Sequence, residues 1–181
     1  RLRMELELLL EREPWRQALA ALQAWGALQL LDPELQGDAH WLRRLVWGRR
    51  LGLVPLTVLL AGGRAPGPLA RRLQVPRGQA QILCQAVVLG ERLQHRPLPS
   101  RPSGWCSLLE APGSSPDAVA LAVAMGLQPR RPLLRWWLQW RHVLPPQDAR
   151  QLIRQGWRAG PELGQELRRL RAERLDHPGP A

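Results

Sequence analysis

The chain has 181 residues, 45% of them hydrophobic, which is enough for one domain or two small helical units with a real core. Its formal charge is +11, its pI is near 11.6, and all 26 basic residues are arginine, whose planar fork suits phosphate, so a polyanion is the first partner to consider. Cys84 and Cys106 lie far apart with no C-x-x-C and no neighbouring His, which argues against a zinc site and a disulfide framework and fits a reducing, cytoplasmic setting.

The first residues, "RLRMELELLLER", are already helical in pattern, with Leu2, Leu6, Leu9 and Leu10 on one side, and read as a cut, not a natural start. Pro14 suits a first helical position, and "PWRQALAALQAW" places Trp15, Leu19 and Leu22 at helical spacing until Gly26 closes the segment. In "DPELQG" Asp32 is poised before Pro33, and Asp38 is the expected N-cap of a further helix through "DAHWLRRLVWGRRLG". Residues 55 to 73 and 75 to 95 read as helices broken by "GGRAPG" and by Pro76-Arg77-Gly78. No alternating apolar run bounded by turns is found, so strands are not expected.

Residues 96–116 are rich in Pro, Ser and Gly and mark a connection, with one short helix expected around Ser107 to Glu110. Helices are then expected over roughly 116–127, 132–144, 148–155 and 161–174. The expected fold is all-α, an irregular helical array in two subgroups, with residues 1–95 forming a body, 117–176 a tail, and 177–181 a disordered end. The apolar stretches from 52 and from 118 are too short to span a bilayer, and no membrane partner is expected.

Catalytic signatures are missing. No Asp-x-Asp occurs, and Glu5-x-Glu7 and Glu11-x-Glu13 sit on a helix, where i and i+2 point apart and cannot chelate one cation. "AGGRAPG" at 61–67 has no Lys-Ser/Thr after it and no strand before it, which leaves a helix break and not a phosphate loop. The four histidines are scattered and pair with no Ser or Cys at a nucleophile spacing.

Two stretches near the C-terminus carry more. "PPQDARQLIRQGWRAGPELGQELRRLRAERLD" (145–176) offers Asp148 as an N-cap, Gly156 as a left-handed C-terminal residue, and Gly160-Pro161 opening a second helix. Gly160 and Gly164 keep bulk away from that helix start, whose unpaired N–H groups suit a phosphate; Glu162 in the first turn favours a purely structural role. Leu163, Leu167, Leu170 and Leu175 form the buried stripe, with Arg168, Arg169 and Arg171 over the remaining surface. In "LLRWWLQWRHV", Trp136 and Trp140 share a face with Leu133 and Val143, the spacing of a core stripe, and Trp137 is the ring expected to be exposed and able to stack on a base.

Together these stretches resemble the bacterial-type tRNA nucleotidyltransferases, the family of CCA-adding enzymes and poly(A) polymerases. Arg1-Leu2-Arg3-Met4-Glu5-Leu6 is similar to that family's R-I-x-x-E-L segment in the helical neck, and "ALAALQAWGALQLLDPEL" to the hairpin that follows. "VLPPQDARQLI" and "GWRAGPELGQELRRLRAERLD" resemble its tail, with Asp148-Ala149 where Thr-Gly is usual and Gln151 where Asp is usual. The similarity runs along the whole chain in order and is weakest over 51–132. It implies a catalytic head, with paired aspartates and Mg2+, upstream of Arg1, reaching CTP or ATP through the head and neck, so that this chain alone is inactive. It also implies that Arg1 and Glu5 support the nucleotide pocket. The body and tail would then hold the acceptor arm and elbow of tRNA by shape and phosphate. The candidate RNA-binding residues are Arg150, Arg154, Arg158, Gly160, Pro161, Gly164, Arg168 and Arg169, with no DNA partner expected. A free-standing helical adaptor that binds a protein, and a duplex binder with a helix-hairpin-helix-like tail, are the alternatives.

Overall fold

The computed structural model describes residues 1–12, 14–95 and 97–177. Among these residues the chain is all-α: twelve α-helices and two short 3-10 turns, with no strand. The disordered end expected at 177–181 lies, from residue 178 onward, outside the described residues.

Proline and glycine punctuate the helices much as their backbone restrictions require. After α1 (Leu2–Glu11), α2 (Trp15–Ala24) opens behind Pro14 and is closed by Gly26 at φ +74°. Leu6 and Leu10 of α1 are buried, whereas Leu2, assigned to the same stripe, is exposed. Asp32 caps α3 (Pro33–Gly37), accepting the Glu34 N–H at 2.8 Å, and also accepts the Arg64 N–H at 3.2 Å, which ties the glycine break at 61–67 to this corner.

Asp38 does not cap the next helix. α4 runs Trp41–Arg50, and Asp38 stands one turn ahead of it, accepting the His40 N–H at 2.8 Å and pairing with Arg44, buried on the same helix. The buried cation holds the carboxylate away from the cap position. Helix α5 (Pro55–Leu60) and α6 (Pro66–Arg72) flank the glycine break, and α7 (Arg77–His95) follows.

The stretch 96–116 contains α8 (Pro102–Leu109), longer than the short helix expected there. Its Trp105, Cys106 and Leu109 are buried. Helix α9 (Pro116–Met125) is capped by Ser115 and buried at every position from Ala118 to Ala124. A short uniformly apolar run is the pattern of a fully buried helix, and its alanines allow neighbours to approach from all sides. The tail follows as α10 (Arg130–Leu138), α11 (Ala149–Arg154) and α12 (Pro161–Asp176).

Two apolar cores result. The first gathers Leu10, Leu19, Leu35, Leu45, Leu56 and Leu60 with others from α1 to α7; the second gathers Trp105, Leu109, Leu133, Trp136 and Leu175. Helices α7 and α9 serve both: Leu83 and Leu121 face the first, and Leu89, Leu93 and Val123 face the second. No helix among the described residues is long and apolar enough to cross a membrane.

Candidate nucleic-acid interface

The tail hairpin is built by local chemistry. Asp148 accepts the Gln151 N–H at 2.7 Å, and the Gln151 side chain accepts the Asp148 N–H at 2.9 Å, a reciprocal box that satisfies two helix-start donors. Gln151, which stands where the family pattern has Asp, is therefore occupied in capping α11. At the other end Gly156 adopts φ +100°, its N–H donates to the Ile153 carbonyl, and the Trp157 N–H donates to the Leu152 carbonyl. This pair of bonds needs a left-handed residue between them, so glycine is required at 156.

Gly160 is different. Its φ of 162° is extended backbone open to any residue, and a Cβ there would meet nothing within 4 Å. The start of α12 has no side-chain cap, as at several other helices of the chain: Pro161 has no N–H to offer and Gly160 no side chain to cap with. No side chain caps the first N–H groups of α12, and Glu162 supplies an acid in the same turn.

Arg150, Arg154, Arg158 and Arg168 are exposed, and among the described residues none of them has an ion-pair partner. Arg150 and Arg154 stand at i and i+4 on one face of α11, and Arg158 follows in the loop. Arg168 overhangs Gly164, whose added Cβ would lie 3.7 Å from its Nη1.

Arg169, also among the candidates, is placed differently from the other arginines. It donates to Glu166 at 2.6 and 2.8 Å and pairs with Glu173 as well, one turn away on either side. The hydrogen bond to Glu166 and the charge of both acids hold its guanidinium well above its ordinary value. Its guanidinium donors are engaged by two acids of its own helix, although the side chain is 57% exposed.

Arg171 is a correction, because it does not lie free on the surface. It forks onto Glu110 at 2.5 and 2.8 Å, donates through Nε to the Val143 carbonyl at 2.8 Å and reaches the Trp140 carbonyl at 3.2 Å. The Trp136 indole N–H donates to the same carboxylate at 2.9 Å. Burial works to raise the Glu110 carboxyl, but the Arg171 and Trp136 donors outweigh it and hold it below the usual carboxylate range. Burial, then the Glu110 charge, pushes the neighbouring Cys106 thiol up to about 11. One guanidinium thus joins α12, the end of α8 and the turn after α10. Nothing in the sequence marks Glu110 for this; it is a lone acid 61 residues from its partner.

The tryptophans sort differently from the expectation. Trp136 is buried as expected, while Trp137 and Trp140 are both half-buried. Trp137 packs against both cores and carries the Arg141 guanidinium 3.7 Å over its ring, so it is no free stacking platform.

At the other end of the chain, Arg1 and Glu5 are both exposed, and the Arg1 carbonyl accepts the Glu5 N–H at 3.2 Å. Arg1 lines a cleft of about 370 Å³ with Arg3, Leu30, Arg72 and Gln74, and Glu5 is not among its walls. No hydrogen bond or ion pair joins the Arg1 and Glu5 side chains.

No family model, curated protein or solved structure matches this chain. Among the described residues no three of His, Cys, Asp and Glu converge as a metal-ligand set.

Proposed function

We propose that this chain is the tRNA-binding helical portion of a tRNA nucleotidyltransferase, with the tail hairpin as one of its phosphate-contact surfaces. The observation that carries this reading is the set of exposed arginines without carboxylate partners, Arg150, Arg154, Arg158 and Arg168, around the uncapped start of α12. Guanidinium forks and free backbone N–H groups together recognise phosphate oxygens without reading base identity. Nucleotidyl transfer, its Mg2+ and its use of CTP or ATP belong in this reading to a catalytic head outside the chain, with Arg1 and Glu5 supporting the nucleotide pocket from the neck.

The test is affinity for folded tRNA against an acceptor-stem hairpin lacking the elbow, at two salt concentrations. The expected result is preference for whole tRNA, lost progressively with salt. Arg158→Glu and Arg168→Glu should each weaken binding, because each removes one cation and adds an anion. Wild-type affinity in both variants would sink the tail site. A protein-binding adaptor is the second reading, favoured by the exposed Leu138, Leu144, Ile153 and Trp157 of the tail. It predicts equal, weak binding to both RNAs.

A further inference from the structure

A second group of arginines gathers away from the tail hairpin, where α4 meets the turn into α10. Arg43, Trp47 and Arg50 stand at i, i+4 and i+7 on α4 and so share one face. Arg130, the first residue of α10, brings its guanidinium to 4.2 Å from the centroid of the Trp47 ring, and Arg50 brings its own to 5.7 Å from the same ring. Arg43 reaches the turn after α9, where a Cβ added to Gly126 would lie 3.6 Å from its Nη2.

Two features make this more than a solvated charged face. First, the guanidiniums are positioned: those of Arg50 and Arg130 both lie over one half-buried indole at cation–π distance, and a side chain already held in place loses less freedom when it binds. Second, among the described residues none of Arg43, Arg50 and Arg130 has a carboxylate partner, and the Arg130 Nε is buried with no acceptor at all. Like charges brought to one aromatic ring repel, and among the described residues no carboxylate is ion-paired with them. A bound anion would.

We propose that this seam is a second phosphate-contact surface, which binds the ribose-phosphate backbone of RNA through Arg43, Arg50 and Arg130 while Trp47 serves as the platform beneath the Arg50 and Arg130 guanidiniums. The proposal rests on the reading that RNA is the partner. A phosphate diester is the matching ligand chemistry, since its two free oxygens fit a guanidinium fork. The Trp47 ring lies under two cations and packs against the first core, so no apolar group of the patch is available to insert into an acyl layer.

The experiment uses the full chain and fluorescently labelled folded tRNA, with binding read by anisotropy. Three double variants are compared with the wild type: Arg43→Gln with Arg50→Gln at the seam, Arg154→Gln with Arg158→Gln in the tail, and Arg43→Lys with Arg50→Lys as a charge-retaining control. All the replaced residues are exposed, and an unchanged thermal melt confirms that each variant is folded. Taking one arginine away from a phosphate lowers the slope of log affinity against log salt by ~0.7–0.9, so with two taken away the fall in affinity between ~50 and ~200 mM salt should be about ninefold smaller than in the wild type. The lysine variant should keep most of the wild-type slope. A seam Gln variant with wild-type affinity and slope, beside a weakened tail variant, overturns the seam and leaves the tail reading standing. A weakened seam variant beside an unchanged tail variant supports the seam and removes the tail site. A wild-type chain that ignores tRNA but binds vesicles of phosphatidylcholine and phosphatidylserine overturns RNA as the ligand of both surfaces.

Discussion

Replacing Arg171 with Met keeps its apolar stem in place and removes every donor it supplies to the second core. Three acceptors then lose a partner: the Glu110 carboxylate and the Val143 and Trp140 carbonyls. Glu110 keeps the Trp136 indole N–H and the Trp140 carbonyl keeps the Val143 N–H, so each acceptor loses a hydrogen bond and, among the described residues, only the Val143 carbonyl loses its sole donor. At ~1 kcal/mol for each acceptor that loses a bond, the loss is ~3 kcal/mol. Solvent reaches the Arg171 and Glu110 side chains, which are 23% and 32% exposed, and screening reduces the loss to ~2 kcal/mol. For a chain of this size that corresponds to a fall of about 4–8 °C in Tm. Urea unfolding monitored by circular dichroism measures the loss, and Glu110→Gln adds an independent signature. Because the Glu110 carboxyl titrates below its ordinary value near 4.5 when folded, the unfolded chain binds its proton first as the pH falls. Its contribution is fully present above about pH 4.5 and is lost as the pH falls through the lowered native value. The stability difference between wild type and Glu110→Gln should therefore shrink between pH 7 and pH 3. A loss below ~0.5 kcal/mol for Arg171→Met, or a Glu110→Gln difference that does not change with pH, would refute the claim that this ion pair organises the second core.

Two further outcomes are expected. Ala at Gly48 would place its Cβ 2.5 Å from Cγ2 and 3.1 Å from Cγ1 of Val58, a stiff, fully buried side chain, so overpacking should outweigh the gain in helix propensity and cost a net ~1–2 kcal/mol. Ala at Gly78 of α7 meets nothing within 4 Å and should instead add up to ~1 kcal/mol; the same sign for both in urea unfolding would contradict the close packing of α4 on α5. With maleimide at pH 7, mass spectrometry should show one rapid adduct on the folded chain, at exposed Cys84, and two in urea. Cys106 is buried and its thiol is pushed up to about 11, which leaves about one molecule in ten thousand as thiolate at that pH, and equal labelling rates on the folded chain would count against that burial.

Much of the helical order was legible because the punctuation is local. Gly26 and Gly156 stop helices by their own backbone freedom, and Asp32, Ser115 and Asp148 start them by accepting N–H groups two or three residues on. Asp38 misled because the local pattern for a cap was correct but Arg44, a buried cation on the same helix, competes for the carboxylate. The candidate site was legible only in part. Arg169 sits between Glu166 and Glu173 at spacings of three and four, so its pairing was available from the helix period alone. The Glu110–Arg171 pair and the meeting of Arg130 with Trp47 were not, since each joins residues that only tertiary packing brings together.

The arginine-only composition acquires a physical meaning once these partners are known. Among the described residues only Arg3, Arg44, Arg169 and Arg171 have carboxylate partners. Others are used in folding without being neutralised: Arg49 donates to the Leu10 carbonyl, Arg72 to those of Leu30 and Leu31, and Arg174 to that of Leu144. A carbonyl satisfies a guanidinium N–H but leaves its charge in place. Arg171 reaches the Val143 carbonyl through Nε and the Trp140 carbonyl through Nη2, a planar fork that a lysine cannot copy. Folding therefore consumes arginine donors while leaving the net charge of +11 in place. A fold that keeps this charge and leaves forks without carboxylate partners at the tail hairpin and on the Trp47 seam supplies the cations that the proposed phosphate contacts require.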